Sequence, residues 1–540
     1  MENAEIQNII KRVEKLKGLR SNWESQWQEC ATYCLPTKTN ITTVKTTGTG
    51  VDTTNYDSTA RNSTQVFAAA MHSYLTNPAS KWFSLRTKDK YLMNSKAVKT
   101  WFKSAEDTIY NTFNGSNFAQ EVHEGYLDLA CFGTFALYEE EDEKDIVRFY
   151  CRPLREMLIS EGADGRVDTA YRCFKYTARQ AFQRWGKNSG EAIQKAVDAK
   201  DYEKEFDFIH CVQPRHEFEA GKKDAKNMPY ASLYVEVSQK HLCEEGGYKE
   251  FPFFIPRFSK LAGDVWGYSP AMVSLPDIKM LNAMSKTLIR SAQKIVDPPV
   301  EMPHDGYLMP MNFNPGGINF RVQGTSETEI KPILSGGNIP IGLEMVQDLR
   351  ANIQKAFFVD VFLMLNQDRG QKTATEVNEM ASEKMLITGP VLGRLMSEFL
   401  NQAVVRTFNI CYDRGQFEEI PEELQGKDWV VEYISPLAKA QKFQEMNSLV
   451  QFNSYVGQLA TVFPTVLDKV DSDKSVDAAA DLFAINPEIV YDDKEVAEIR
   501  EQKAQQMQAQ QEMMMAQQIA ATAKDGSQAV KNLESQGVSK

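Results

Sequence analysis

The sequence lacks the motifs from which enzymes commonly build catalytic sites. It has six histidines among 540 residues, and they are too dispersed to suggest a metal site. The phosphate-binding pattern Gly-x4-Gly-Lys-Ser/Thr is missing, as are His-Glu-x2-His and Gly-x-Ser-x-Gly. These absences argue strongly against a motor ATPase, so we expect no enzymatic activity, no bound metal and no cofactor.

Long apolar runs, regularly spaced cysteines and an excess of positive charge are also missing. No apolar run is long enough to cross a bilayer, so we expect no membrane partner. The eight cysteines are scattered, which is typical of a reducing compartment. Lys and Arg total 61 against 73 Asp and Glu, a formal net charge of −12. A tight duplex-DNA binder usually carries a basic domain, whereas DNA can slide past an acidic surface.

Helical periodicity dominates the first 131 residues. Apolar residues recur at spacings of three and four from Ile6 to Trp27, which predicts a helix that Pro36 ends. A threonine-rich arm is expected over residues 37–54. Three more helices are then predicted: one capped by Asp57-Ser58, one over residues 95–113 and one over residues 117–131.

Between residues 135 and 258 the pattern changes to repeated short strand-like runs, interrupted by one predicted helix. The runs are 135–138, 146–151, 169–176, 206–212, 233–237 and 251–258. Thr177 and Gln180 form a capping box at the start of that helix, and Gly186 is its expected stop. The acidic run 139–143 is predicted to be the solvated turn of a hairpin, in preference to a metal site. The chain is therefore expected to be mainly α with an α+β region.

Longer helices are predicted from residue 269 onward. One begins at Ser269-Pro270, restarts at Pro276 and ends before Asp297. A Gly/Pro-rich insertion, a second long helix, a polar loop and a third long helix follow. Gly389 and Pro390 should kink that third helix. Beyond it we expect a strand, another helical region and a Gln/Met-rich tail after residue 501. The tail is interpreted either as a helix that needs a partner or as disordered, and disorder is favoured for about its last fifteen residues.

A basic stripe runs along the first long helix. Lys279, Lys286, Arg290 and Lys294 fall within about 80° of one another at 100° per residue, opposite an apolar face. The stripe is interpreted in three ways: a solvated surface, a face toward DNA, or a face toward carboxylates of a neighbouring helix. Glu344 and Asp348, one turn apart on the second long helix, are candidate partners, and pairing between subunits is favoured.

Several short motifs resemble the portal, or head-to-tail connector, family of podoviruses. Trp-Gly-Tyr-Ser-Pro at 266–270 opens the first long helix and Asp-Pro-Pro at 297–299 closes it. Further matches are Thr-Ala-Thr-Glu-Val at 373–377, Gly-Pro-Val-Leu-Gly-Arg at 389–394 and Ser-Pro-Leu-Ala at 435–438. The resemblance covers roughly residues 1–500.

The resemblance implies a portal-type fold with wing, stem, clip and crown. The implied segments are a wing at 1–268, a first stem helix at 269–296, a clip at 297–339, a second stem helix at 340–362, a channel loop at 363–373, a kinked wing helix and strand at 374–434, a crown at 435–500 and a tail at 501–540. The implied channel-loop residues are Gln367, Asp368, Arg369, Gly370 and Lys372.

The resemblance also implies the function, partners and location. It implies a ring of twelve subunits at one vertex of the virion capsid, assembled in the host cytoplasm, which conducts double-stranded DNA during packaging and ejection. The implied partners are the major capsid protein, the scaffold protein, the packaging motor (terminase) and the tail adaptor protein. Two alternatives stay open: a ring-forming tail or baseplate protein that conducts no DNA, and a nucleic-acid enzyme with an unrecognised site.

Overall fold

The computed structural model describes most of the chain and divides it into two compact units. The described residues are 3–43, 48, 55–89, 92–215, 217–219, 224–296, 300–301, 331–332, 339–362, 389–433, 436–482, 489–491 and 493–536. Unit 1 comprises Met1–Phe83, Thr108–Gln416 and Tyr433–Leu437. Unit 2 comprises Ser84–Asp107, Phe417–Glu432 and Ala438–Lys540.

The described part of the chain is mostly helical, with antiparallel sheets, as the sequence predicts. The helices are α1 (Asn3–Cys34), α2 (Thr59–Leu75), α3 (Lys96–Gly115), α4 (Phe118–Phe132), α5 (Ala178–Trp185), α6 (Glu191–Asp198), α7 (Pro270–Val296), α8 (Ile339–Ala356), α9 (Asn401–Asp413), α10 (Pro436–Val462), α11 (Ser472–Leu482) and α12 (Asp493–Gln536). The strands are β1 (Phe83–Thr87), β2 (Ala136–Asp142), β3 (Ile146–Arg152), β4 (Met157–Glu161), β5 (Val167–Thr177), β6 (Glu205–Pro214), β7 (Tyr230–Glu236), β8 (His241–Tyr248), β9 (Phe253–Phe254), β10 (Val300–Glu301), β11 (Lys331–Pro332) and β12 (Trp429–Tyr433).

Unit 1 contains a five-stranded antiparallel sheet in the order β4-β5-β6-β7-β8. Its two faces are covered by different helices because side chains alternate along each strand. Ile9 and Val13 of α1 pack against one face, beside Leu158 and Leu233. The helices α5 and α6 cover the other face, where Trp185 joins Phe174, Phe208 and Tyr234.

The prediction for this α+β region is partly wrong. The capping box is confirmed, since the Gln180 amide donates to Thr177 Oγ1 and the Thr177 amide donates to Gln180 Oε1. However, β4, β8 and α6 were not predicted. These elements are short, and β8 is interrupted by Gly246 and Gly247, so their strand or helix periodicity is weak.

A second sheet in the order β3-β2-β9 corrects the interpretation of the acidic run. The predicted hairpin is present, but its turn is confined to residues 143–145, and β2 extends through Asp142. Glu139 is consequently a strand residue with no exposed side-chain surface, not a solvated turn residue. The sheet alternation places it inward because Leu137 and Glu139 share one face of β2.

Both long helices also differ from prediction. The helix α7 runs through Pro276 without a break; the proline is exposed, and a single missing amide hydrogen bond does not end a well-packed helix. The helix α8 ends at Ala356, because Phe358 has a positive φ of 57°, and helix resumes over residues 359–362.

The tail is helical as far as the structure describes it. The helix α12 runs to Gln536, which agrees with the helical alternative, and the preference for disorder near the end of the tail stays a prediction. Glutamine, alanine and methionine are good helix formers. Within unit 2, Arg500 of α12 also pairs with Asp473 of α11 at 2.7 Å.

Candidate functional site

The first long helix starts at a serine that makes two hydrogen bonds. Ser269 Oγ accepts from the Met272 amide at 2.9 Å, which satisfies one unpaired donor of the first turn of α7. The same hydroxyl donates to the Cys131 carbonyl at 2.9 Å, at the end of α4. The start of α7 is therefore fixed to the end of α4, as well as being capped.

Just before this cap, two glycines let two backbone segments cross. A Cβ on Gly267 would lie 2.2 Å from the Gly133 carbonyl oxygen, and a Cβ on Gly133 would lie 2.5 Å from the Gly267 oxygen. Gly133 also has a φ of +75° at the end of α4. Beside the crossing, the Trp266 ring packs edge-on against the Trp27 ring, with 4.9 Å between the ring centroids. The motif at 266–270 is therefore explained by this crossing and the helix that follows it.

The two long helices α7 and α8 pack against each other within unit 1. Gly342 allows close approach, since a Cβ there would lie 3.0 Å from Leu288 Cδ2. On α8, Val346 and Ile353 are buried. These two helices are the segments in which the sequence analysis placed the basic stripe and its candidate acidic partners.

Residues 55–57 join α1, α7, α8 and α2. Asn55 donates to the Thr32 carbonyl of α1 at 2.7 Å, and the Tyr56 amide donates to Asn282 Oδ1 of α7 at 2.7 Å. Asp57 Oδ2 accepts from Arg350 of α8 at 2.7 Å. The position of both long helices relative to the first two helices is therefore fixed by one short segment.

Asp57 is held in its charged form by these contacts. Burial alone would raise its pKa, but hydrogen bonds from Thr59 and Arg350 outweigh that effect and the pKa is lowered. The Thr59 amide donates to Asp57 Oδ1 at 2.8 Å at the start of α2. The predicted capping role of Asp57-Ser58 is thus accompanied by an ion pair to a helix almost 300 positions away in sequence.

The basic stripe does not present one uniform face. Lys279 Nζ pairs with Glu29 Oε2 of α1 at 2.7 Å, and Lys286 Nζ lies 5.4 Å from the centre of the Tyr56 ring. Arg290 is exposed and lines an open cavity of about 1100 Å³. Lys294 lies in α7, but its side chain is outside the described residues. Two of the four cations therefore contact residues of the same chain.

The candidate acidic partners Glu344 and Asp348 are exposed on α8. Within the described part of one chain, neither residue forms an ion pair with Lys279, Lys286 or Arg290. The favoured interpretation, pairing between subunits, stays a prediction.

The channel-loop residues Gln367, Asp368, Arg369, Gly370 and Lys372 lie outside the described residues. Gly389 and Pro390 are the first described residues of the following helical segment, so the predicted kink stays a prediction. A different irregularity follows it: Met396–Leu400 forms a π-helical turn, in which the Asn401 amide donates to the Met396 carbonyl. Nothing in the sequence periodicity predicted this turn.

A buried arginine that sequence analysis missed fixes the π turn. Arg257 is 1% exposed and its guanidinium bonds Glu398 at 2.7 and 3.0 Å. The Arg257 amide also donates to Glu398 Oε2 at 3.0 Å. A further contact joins Arg257 to Glu161 of β4. No motif surrounds these residues, and 141 positions separate Arg257 from Glu398.

A second buried pair fixes α9. Arg406 lies 3.6 Å from Glu139, and Thr407 Oγ1 donates to Glu139 Oε1 at 2.7 Å. Burial raises the pKa of Glu139 to about 7, although Arg406 and Thr407 act in the opposite direction. Arg406 also lies 3.6 Å from the Glu250 carboxylate. The helix α9, which is rich in apolar residues, thus packs against the sheet β3-β2-β9 through a buried network of charged side chains.

The described residues offer no metal centre and no membrane segment. Among them, no group of three His, Cys, Asp or Glu side chains is placed to hold a metal ion. None of the helices that the structure describes is both long and apolar enough to cross a membrane.

Comparison with known proteins identifies the family. The family model described as "Bacteriophage head to tail connecting protein" matches residues 6–490. The chain belongs to this head-to-tail connecting family. It is 33% identical over 531 residues to the portal protein of Salmonella phage epsilon15, covering 97% of this chain and 96% of the relative. It is also 33% identical over 535 residues to the probable portal protein of Bordetella phage BPP-1, covering 97% and 95%.

Two solved structures of gene transfer agent particles are weakly similar to this family member. The neck of an empty particle computed with C6 symmetry matches with a TM-score of 0.37 and 11% identity, covering 72% of this chain and 86% of the other. The virion of a native particle matches with a TM-score of 0.38 and 12% identity, covering 74% and 88%. Both TM-scores are below 0.5, so the family assignment rests on the sequence matches.

The family assignment confirms the resemblance inferred from the short motifs. The function of this head-to-tail connecting protein is that of a phage portal, and the matching family and named relatives include no enzyme. The motifs that carried the resemblance have structural roles where they are described: a backbone crossing and a helix cap at 266–270.

Proposed function

We propose that the chain assembles into a ring of twelve subunits at one capsid vertex, through which double-stranded DNA enters and leaves. The observation that carries this proposal is the near full-length similarity to two phage portal proteins at 33% identity. The exposed apolar residues of α7 support it, because Val273 and Val296 are 73% and 85% exposed in one chain. Contacts between subunits would cover these residues, and head-to-tail contacts that close on themselves give a ring.

The segments that we propose for this ring follow the helix order. The wing is 1–268, the stem helices are 269–296 and 340–362, the clip is 297–339 and the crown is 435–500. The loop at 363–373 lines the channel, and 374–434 returns to the wing. The helix α7 has 27 residues and spans about 40 Å at 1.5 Å per residue, enough to form a channel wall. The short pair β10–β11 lies within the proposed clip.

We propose docking partners on both sides of the capsid shell. These are the major capsid protein and scaffold inside the assembling head, and the packaging motor (terminase) and the tail adaptor protein at the clip. The assembled ring is a component of the virion, and assembly takes place in the host cytoplasm. The ring has no enzymatic activity of its own, and the ATP chemistry belongs to the motor.

Purified protein is expected to sediment as a particle many times the 61.2 kDa mass of one chain. Electron microscopy of that particle should show a ring whose central hole admits duplex DNA. A three-dimensional reconstruction would also check the proposed segments, with residues 363–373 nearest the axis. A compact monomer at micromolar concentration would contradict the proposal, and a ring without a through-channel would favour a tail or baseplate component.

The basic stripe is proposed to pair with carboxylates of the adjacent subunit. In a ring, four free cations per chain would form belts that bind phosphates tightly, which would hinder passage of DNA. Two of the four already contact residues of their own chain, so Arg290 and Lys294 are the proposed intersubunit cations. Glu344 and Asp348 are their proposed partners.

Changing Arg290 and Lys294 to glutamine should lower the salt concentration at which rings dissociate. Each exposed pair contributes only about 0.2–1 kcal/mol, but every interface of the ring loses it. Lys279→Gln is the matched control, since Lys279 pairs within its own chain and should leave the salt threshold unchanged. Sedimentation across a salt series measures this. Unchanged ring stability with altered DNA passage would instead place these cations in the lumen.

A further inference from the structure

The helical segment from residue 389 to Asp413 keeps one face buried on both sides of the π turn. Leu395, before the turn, is completely buried. On α9, after the turn, the buried residues are Ala403, Val404, Arg406, Thr407, Phe408, Ile410 and Cys411. An uninterrupted α-helix at 100° per residue would place the centre of this α9 face about 120° from Leu395.

The π turn removes this mismatch. Its hydrogen bond from Asn401 to Met396 spans five residues instead of four, so the turn contains one additional residue. One residue corresponds to about 100° of rotation, which brings the α9 face back to nearly the direction of Leu395. The extra residue therefore lets Leu395 and the buried face of α9 point in nearly the same direction.

The π turn is also the point at which this helical segment is held against the rest of unit 1. Glu398, inside the turn, accepts from the amide and the guanidinium of Arg257. Eight positions later, Arg406 reaches Glu139. In a regular α-helix, residues eight apart point about 80° away from each other, and the wider turn reduces this angle.

We propose that the π turn Met396–Leu400, fixed by Arg257 and Glu398, is a positioning element that sets the rotation of residues 389–395 about the helix axis. The helix α9 stays fixed by Arg406 and Glu139. Loss of the additional residue would turn the preceding segment by about 100° while α9 stays in place. Packed helices change between such discrete arrangements and do not deform continuously. The segment that turns is the one that leads back from the proposed channel loop, and this functional consequence rests on the proposed function.

Deleting Ser397 tests the proposal directly. Ser397 is exposed, and its hydroxyl donates to the Arg394 carbonyl, so its deletion removes the additional residue without removing a core side chain. A high-resolution structure of the variant should show a continuous α-helix, with residues 389–395 turned by about 100° and the contact between Arg406 and Glu139 retained. A retained π turn, or a rotated α9 beside an unmoved segment 389–395, would overturn the proposal.

Glu398→Gln weakens the contact between Arg257 and Glu398 without changing the length of the chain. Amide hydrogen exchange in residues 396–401 should be about tenfold faster than in the wild type, because a charge-assisted contact is weakened, while exchange in α9 stays unchanged. Glu14→Gln, an exposed position on α1, is the matched control and should change neither. Equal acceleration throughout 389–413, or none, would overturn the proposal.

Phage carrying the Ser397 deletion should assemble rings but contain at least about tenfold fewer DNA-filled heads, since the return from the channel loop would be misdirected. This experiment distinguishes failure of the proposed positioning role from failure of the proposed function. If wild-type chains form no ring, the proposed function fails while the structural test of the π turn still stands. If rings of the deletion variant fill heads normally despite a rotated segment, the positioning role in DNA passage is wrong.

Discussion

Gly267→Ala should be the most destabilising single methyl addition among the positions described above. The added Cβ would lie 2.2 Å from the Gly133 carbonyl oxygen and 2.9 Å from Arg257 Cβ. The nearest atom belongs to the backbone, so no side-chain rotation can relieve the overlap, and the two segments would have to separate. The hydrogen bond from the Gly267 amide to Thr134 Oγ1 would then be lost. We expect a cost of about 3 kcal/mol or more.

The measurement is the midpoint of urea unfolding, together with the yield of assembled protein. Gly18→Ala is the matched control: Gly18 is exposed on α1 and has nothing within 4 Å of an added Cβ. That change should stabilise the helix by about 0.5–1 kcal/mol. Equal midpoints for the wild type and Gly267→Ala would show that the crossing is not as tight as described.

Measured above about pH 7, where Glu139 is ionised in the wild type, Arg406→Met should destabilise the protein by about 3–5 kcal/mol, because it leaves a buried carboxylate without its cation. Glu139 has no exposed side-chain surface, and Arg406 is its charged partner. Arg148→Met, at an exposed position on β3, is the control and should change stability by less than about 0.5 kcal/mol. Adding Glu139→Gln to Arg406→Met should restore part of the loss.

The loss of folding stability caused by Arg406→Met should depend on pH in a defined direction. The pKa of Glu139 is raised from the ordinary value of 4.5 to about 7 in the folded wild type, and removal of Arg406 raises it further. A raised pKa favours the folded protein at low pH, and this stabilisation is lost as pH rises through the folded value. Below about pH 7 Glu139 is neutral in both folded proteins, so the deficit relative to wild type should be constant there and should grow as the pH rises above about 7. A pH-independent deficit would show that removal of Arg406 does not raise the pKa of Glu139.

Local sequence patterns predicted the elements whose signals lie close together in the chain. The capping box of Thr177 and Gln180 spans four residues, and both hydrogen bonds are present. Asp57-Ser58 marked the start of α2 for the same reason. Predictions failed where packing outweighed a local signal, as at Pro276, which lies inside an unbroken α7. The acidic run at 139–143 was placed in a turn because its charges suggested solvent, and the buried Arg406 that stabilises Glu139 was not apparent in the sequence.

The candidate site was predicted in part. The two long helices and the stripe residues were found from periodicity, since spacing alone places residues on one side of a helix. The partners of the stripe residues could not be found in this way. Lys279, for example, pairs with Glu29, which is 250 positions away. Periodicity gives the direction of a side chain from its own helix axis and carries no information about what lies opposite.

The sequence by itself determined most of the helices, the change from helical to strand-rich regions, the capping box at Thr177 and, through its short motifs, the head-to-tail connecting family. Only the tertiary structure decided which charges are buried, where two glycines let the backbone cross, and how a π turn keeps the face around Leu395 aligned with α9. Elements and caps follow from interactions within a few residues, which leave a pattern in the sequence. The contacts of Arg257, Arg406 and Gly267 join segments more than 130 positions apart, and they form only when the whole chain has packed.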